Sequence, residues 1–120
     1  MESQNWTYRA ELIEVVDGDT VDLRVDLGFK TYKEIRVRLN NVDTAEIFGV
    51  EHGSEEYKTG TDQKKFVEEM LTTDEKWGLL FSSQEESGKY GRWIGDIKPV
   101  ESDETVTEAL LEQWPETESR

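Results

Sequence analysis

Four side chains in the first half of this 120-residue chain could act together: Asp19, Arg38, Asp43 and Glu46. Two segments of alternating apolar and polar residues, 21–27 and 32–39, flank Gly28-Phe29-Lys30 and predict a β-hairpin. Antiparallel partners around that turn should have residue numbers summing to about 59, which sets Asp19 beside Asn40. Arg38 projects from the same strand end, Asp43 follows Asn40 in the next loop, and Glu46 lies further along that loop. Strand pairing alone therefore gathers three acids and an arginine at one mouth of the hairpin. With no Cys and a single histidine, His52, an all-oxygen site is the metal chemistry the chain can supply. Taken singly, each residue also has an ordinary structural reading. Asp17 and Asp19 around Gly18 are good turn formers, Asp43-Thr44 could cap a turn, and an exposed arginine pair is worth ~0–1 kcal/mol.

The elements that must position these groups follow from the rest of the pattern. Residues 6–16 alternate and predict a first strand, with a change of apolar phase at Ile13 and Val15 that signals a bulge or a switch of faces. Residues 40–60 have no sustained period and predict a long loop. Phe66, Val67, Met70 and Leu71 form one stripe of a helix over 61–71. A fourth strand is predicted over 76–82, a polar turn over 84–91, and a fifth strand over 92–97. Thr105 with Glu108 three residues later forms a capping box for a short last helix. The fold class is α+β, mainly β: a five-stranded OB-fold barrel with one helix between strands 3 and 4 and a short C-terminal helix. The domain is expected over residues 1–115, with an acidic, frayed tail over 116–120. Trp77, Phe81 and Trp93 read as barrel core rather than stacking platforms, His52 as solvated, and Glu55-Glu56 as solvated charge.

Composition bounds what this domain can be. Charged residues make up 35% of the chain and hydrophobic ones 34%, with four each of Trp, Tyr and Phe, so a small folded domain with a heavily solvated exterior is expected. The absence of Cys excludes disulfides, zinc–thiolate sites and thiol nucleophiles. No apolar run is long enough for a membrane span, and no leader pattern opens the chain, so a cytoplasmic protein is expected before a secreted one. Net charge is −14, and the acid excess is spread over both halves. Such acidity ordinarily argues against binding a polyanion. That argument fails at about 1 M salt, where the Debye length is ~3 Å, and acidic surfaces keep halophilic proteins soluble.

Three segments now combine: Val16-Asp17-Gly18-Asp19-Thr20-Val21, then Val37-Arg38-Leu39-Asn40-Asn41-Val42-Asp43-Thr44-Ala45-Glu46, then Lys89-Tyr90-Gly91-Arg92. In this order, with a helix between the second and third, they resemble the thermonuclease (staphylococcal-nuclease-like) family over most of the chain. The resemblance implies that Asp19 and Asp43 ligate Ca2+ with the backbone carbonyl of Thr44. It implies that Glu46 is the base or orienter for the attacking water, that Arg38 and Arg92 clamp the scissile phosphate, and that Lys89 and Tyr90 contact a terminal phosphate. The physics of those roles is coherent: Ca2+ takes oxygen ligands and guanidinium forks match phosphate oxygens. Three departures stand out. Ala45 replaces the family's proline, acid replaces its basic surface, and its further C-terminal helix and nucleotide-packing tyrosines have no counterpart here.

The expected function is a calcium-dependent nuclease acting on DNA and/or RNA, a monomer or weak dimer suited to high salt, with nucleic acid as its partner and no membrane. The alternatives are a non-catalytic OB-fold module that binds nucleic acid or protein, and an acidic DNA mimic that occupies a basic groove of another protein.

Overall fold

A computed structural model describes residues 6–87 and 93–118. Five strands, β1 (Trp6–Asp17), β2 (Thr20–Gly28), β3 (Thr31–Leu39), β4 (Leu79–Ser87) and β5 (Trp93–Pro99), close into a barrel of order β1-β2-β3-β5-β4. All neighbours are antiparallel except β3 and β5, which run parallel from the Val37–Trp93 pair to Leu39–Gly95. Helix α1 (Glu55–Leu71) connects β3 to β4, and the short helix α2 (Val106–Gln113) follows β5. This is the OB-fold-like mixed barrel that the element order predicts.

Alternation drives closure. Val21, Leu23 and Val25 of β2 point inward beside Val37 and Leu39 of β3, Val15 and Ala10 of β1, and Leu79, Phe81 and Ile97 of β4 and β5. Val67 and Leu71 of α1 and Val106 and Leu110 of α2 are buried in the same core. The phase change in β1 is a real irregularity: its register with β2 shifts between Leu12 and Glu14 and again between Val15 and Asp17. Thr105 accepts from the Glu108 N–H while the Glu108 carboxylate accepts from the Thr105 N–H, the capping box expected from sequence.

Three boundaries differ from expectation. Helix α1 begins at Glu55, well before residue 61, because Ser54 caps it by accepting from the Tyr57 N–H at 3.1 Å and Glu55 and Glu56 occupy the dipole-favoured first turn. Strand β4 is displaced to Leu79–Ser87, consuming part of the expected polar turn, since it must pair with both β1 and β5. Trp77 is consequently outside the barrel: its ring stacks on Tyr32 at 5.3 Å, and its carbonyl accepts from Arg9 Nη1. The segment expected to fray is instead docked as far as Glu118. Pro115–Thr117 forms a 3-10 turn, Thr117 is buried, and Glu118 makes an antiparallel bridge with Val42. Trp114 packs edge-on against Phe66 of α1. Among the described residues no helix is long and apolar enough to cross a membrane.

Candidate functional site

The hairpin register fixes the first part of the site. Thr20 pairs with Arg38, and the Leu39 N–H donates to the Asp19 carbonyl at 2.9 Å, so Asp19 faces Leu39, one residue from the expected Asn40. In the β1–β2 turn, Asp17 Oδ1 accepts from the Asp19 N–H at 3.1 Å. Gly18 is required there by contact, since a Cβ would lie 2.8 Å from the Thr44 side chain. The turn is thereby pressed directly onto the loop that follows β3.

Asp19 is the hub of this contact. Its carboxylate accepts from Thr20 Oγ1 and from the Thr44 N–H, both at 3.0 Å, and lies 3.7 Å from Arg38 Nη1. Arg38 in turn donates from Nη1 to the carbonyls of Leu39 (3.0 Å) and Val42 (2.5 Å), and from Nη2 to Asp43 Oδ1. One guanidinium therefore stands between the two aspartates and ties both to the backbone turn through Asn41, which is at φ 69°. Asp19 is largely buried, with 14% of its side chain exposed, whereas Asp43 is 63% exposed. Burial acts against ionisation of Asp19, but the Asp17 carboxyl, the Arg38 charge and the Thr44 N–H outweigh it and hold the group below the usual carboxylate range. Asp17 moves the other way: burial, then the adjacent Asp19 carboxylate, push it up to about 6.

Three features that sequence reasoning missed hold the loop in place. The Ala45 N–H donates to Gln63 Oε1 at 2.8 Å, and Gln63 is 1% exposed inside α1. Gly60, one turn earlier, lets the loop lie against the helix, since a Cβ there would sit 2.7 Å from the Ala45 carbonyl and 2.5 Å from the Ile47 side chain. Finally, the Asp43 N–H donates to the Thr117 carbonyl at 2.8 Å, so the C-terminal segment braces the residue that Arg38 grips. The spacing Gly60, Gln63, Val67, Leu71 is the buried face of α1, and its signal in the sequence is a helical period that begins before residue 61.

Of the sequence-derived site residues, Asp19, Arg38, Asp43 and Thr44 come together. Glu46 is on the same loop but exposed, its N–H donating to Glu56 Oε2 at 3.4 Å, and among the described residues its carboxylate forms no hydrogen bond or ion pair with those four. Lys89, Tyr90 and Arg92 lie outside the described residues; Trp93, the first residue after them, pairs with Val37, adjacent to Arg38 in sequence. His52 is exposed and stacks on Tyr57 at 4.5 Å.

Among the described residues no group of three or more His, Cys, Asp or Glu side chains is assembled to hold a metal ion. The donors nonetheless suit a hard cation in kind: an ionised Asp19 and an accessible Asp43 converge on a single positive charge, that of Arg38. The Thr44 hydroxyl oxygen beside them is buried without a hydrogen-bond partner. No protein-family model matches this chain, and neither does any curated protein.

Proposed function

We propose that the chain is a calcium-dependent nuclease that hydrolyses phosphodiester bonds of DNA and/or RNA. The observation that supports this best is the Asp19–Arg38–Asp43 cluster, in which two carboxylates share one guanidinium at the mouth between the β1–β2 turn and the loop after β3. Asp19, Asp43 and the Thr44 carbonyl would hold Ca2+, which when bound neutralises charge developing on the phosphate. Arg38 would then exchange its bond to Asp43 for a phosphate oxygen, a swap made feasible by the exposure of Asp43. Its remaining bonds to the Leu39 and Val42 carbonyls keep the guanidinium oriented during that exchange. Glu46, exposed on the loop that Gln63 anchors, would take a proton from the attacking water. Arg92 would share the scissile phosphate with Arg38, while Lys89 and Tyr90 would meet a terminal phosphate.

The test is incubation of single-stranded DNA and RNA with the protein and Ca2+ from low to molar salt. Cleavage that EDTA, Arg38→Ala and Arg92→Ala each abolish is the expected result. Binding without cleavage at every salt concentration would replace this reading with a non-catalytic OB-fold module. Binding to a basic protein in place of nucleic acid would make the chain an acidic mimic of DNA.

A further inference from the structure

The distal half of the β2–β3 hairpin, at the opposite end from Asp19, has features that the cluster leaves unused. Residues 24–34 hold Arg24, Lys30 and Lys33 against Asp26 and Glu34, a slight local excess of positive charge in a chain of net −14. Arg24 and Arg36 face acids, Glu11 and Glu34 for the first and Asp22 for the second, whereas Lys30 and Lys33 form no ion pair among the described residues. The two-residue turn between the strands is Phe29-Lys30, both at positive φ (55° and 61°), where Asn-Gly is the unstrained choice. A bulky aromatic held in the left-handed region is strained, and this one projects fully into solvent. Beside it, Leu27 and Lys33 join Tyr8, Phe81 and Trp93 around a mostly apolar groove of about 90 Å³ at the barrel mouth. Phe81 is the buried floor, with the Tyr8 ring stacked on it at 6.5 Å. Trp93 connects this groove to the site, because it pairs with Val37, the neighbour of Arg38.

We propose that the groove and the hairpin tip bind single-stranded nucleic acid. Bases would pack on Tyr8, Trp93 and Phe29, and phosphates would lie beside Lys30 and Lys33. Aromatic faces interleaved with lysines suit a polyanion with unpaired bases, and Lys30 and Lys33, which form no ion pair among the described residues, favour that partner over an apolar peptide. From the Thr20–Arg38 pair to the Gly28–Thr31 pair the hairpin extends roughly 27 Å, so the tip would touch substrate several nucleotides from the scissile bond. This extends the nuclease reading by giving it a distal substrate contact, but binding at the groove needs no metal.

The probe is a fluorescein-labelled oligothymidylate of about 12 nucleotides, within the site sizes of OB folds, titrated in EDTA at low and molar salt. Phe29→Ala and Lys33→Glu should each weaken binding about tenfold with unchanged melting temperature. With Ca2+ the same variants should show a kcat/KM for the oligonucleotide about tenfold below the parent's but unchanged cleavage of a dinucleotide, which cannot reach the tip. Unchanged affinity in both folded variants, or no binding by the parent protein at any salt, overturns the groove. Groove-dependent binding without Ca2+-dependent cleavage sinks the nuclease reading alone and leaves the groove standing.

Discussion

Glu46→Gln keeps the size of the side chain and removes its basicity. If Glu46 takes the proton from water, the rate should fall by roughly 10²–10⁴-fold with little change in substrate affinity; a kcat equal to the parent's would remove it from the chemistry. Arg38→Lys should be nearly as damaging as Arg38→Ala, because a lysine cannot span Asp19, Asp43 and two carbonyls at once. Asp17 supplies a stability test that is independent of activity. Its folded pKa, about 6, lies above its ordinary value of 3.8, so the folded state holds that proton more tightly than the unfolded chain does. The stability it contributes is therefore present below pH 4 and lost as pH rises to about 6. Asp19 has the opposite sign: its lowered pKa gives stability above the usual carboxylate range that is lost as pH falls through its folded value. Asp17→Asn keeps an oxygen for the Asp19 N–H and cannot ionise. Urea unfolding of this variant should show a stability gain over the parent at pH 7 that vanishes near pH 4.

At the level of elements, α1 and the loop it supports make a separable unit. Gln63→Leu leaves the Ala45 N–H without its acceptor and should cost about 1–3 kcal/mol. Ala45→Pro instead removes the donor and leaves the Gln63 carbonyl oxygen buried alone. The double variant removes both partners, so it should be less destabilised than the two single losses added together, a coupling that a thermal or urea double-mutant cycle would measure. The Ala45–Gln63 bond was not legible in the sequence, because a helix expected to begin at residue 61 leaves out Gly60 and the first turns of the face that buries Gln63. The hairpin was legible to within one residue, since strict alternation in 21–27 and 32–39 leaves one register that buries Val21, Leu23, Val25, Val37 and Leu39. The fourth strand was misplaced because Trp77-Gly78-Leu79-Leu80-Phe81 is an apolar run without period, and the position of β4 is set by its partners, Trp6–Ala10 and the residues of β5. Register alone gathered Asp19, Arg38 and Asp43, whereas Thr44 was named only through the resemblance and nothing local fixed where Glu46 would point.

For the molecule as a whole, charge is the dominant variable. Its exposed arginine pairs, Arg24 with Glu11 and Glu34 and Arg36 with Asp22, answer only a fraction of the acids in a chain of net −14. Self-repulsion of the remainder should weaken with salt, so the melting temperature should climb between about 0.1 M and about 3 M NaCl; equal values would remove the high-salt assignment. The last described segment adds a different kind of dependence. Glu118 lies against Val42, and the Thr117 carbonyl holds the amide proton of Asp43. That proton is a built-in gauge: its exchange with deuterium reports how often the carboxyl-terminal segment lifts away. An affinity handle or surface tether joined beyond Glu118 should quicken the exchange and loosen Asp43.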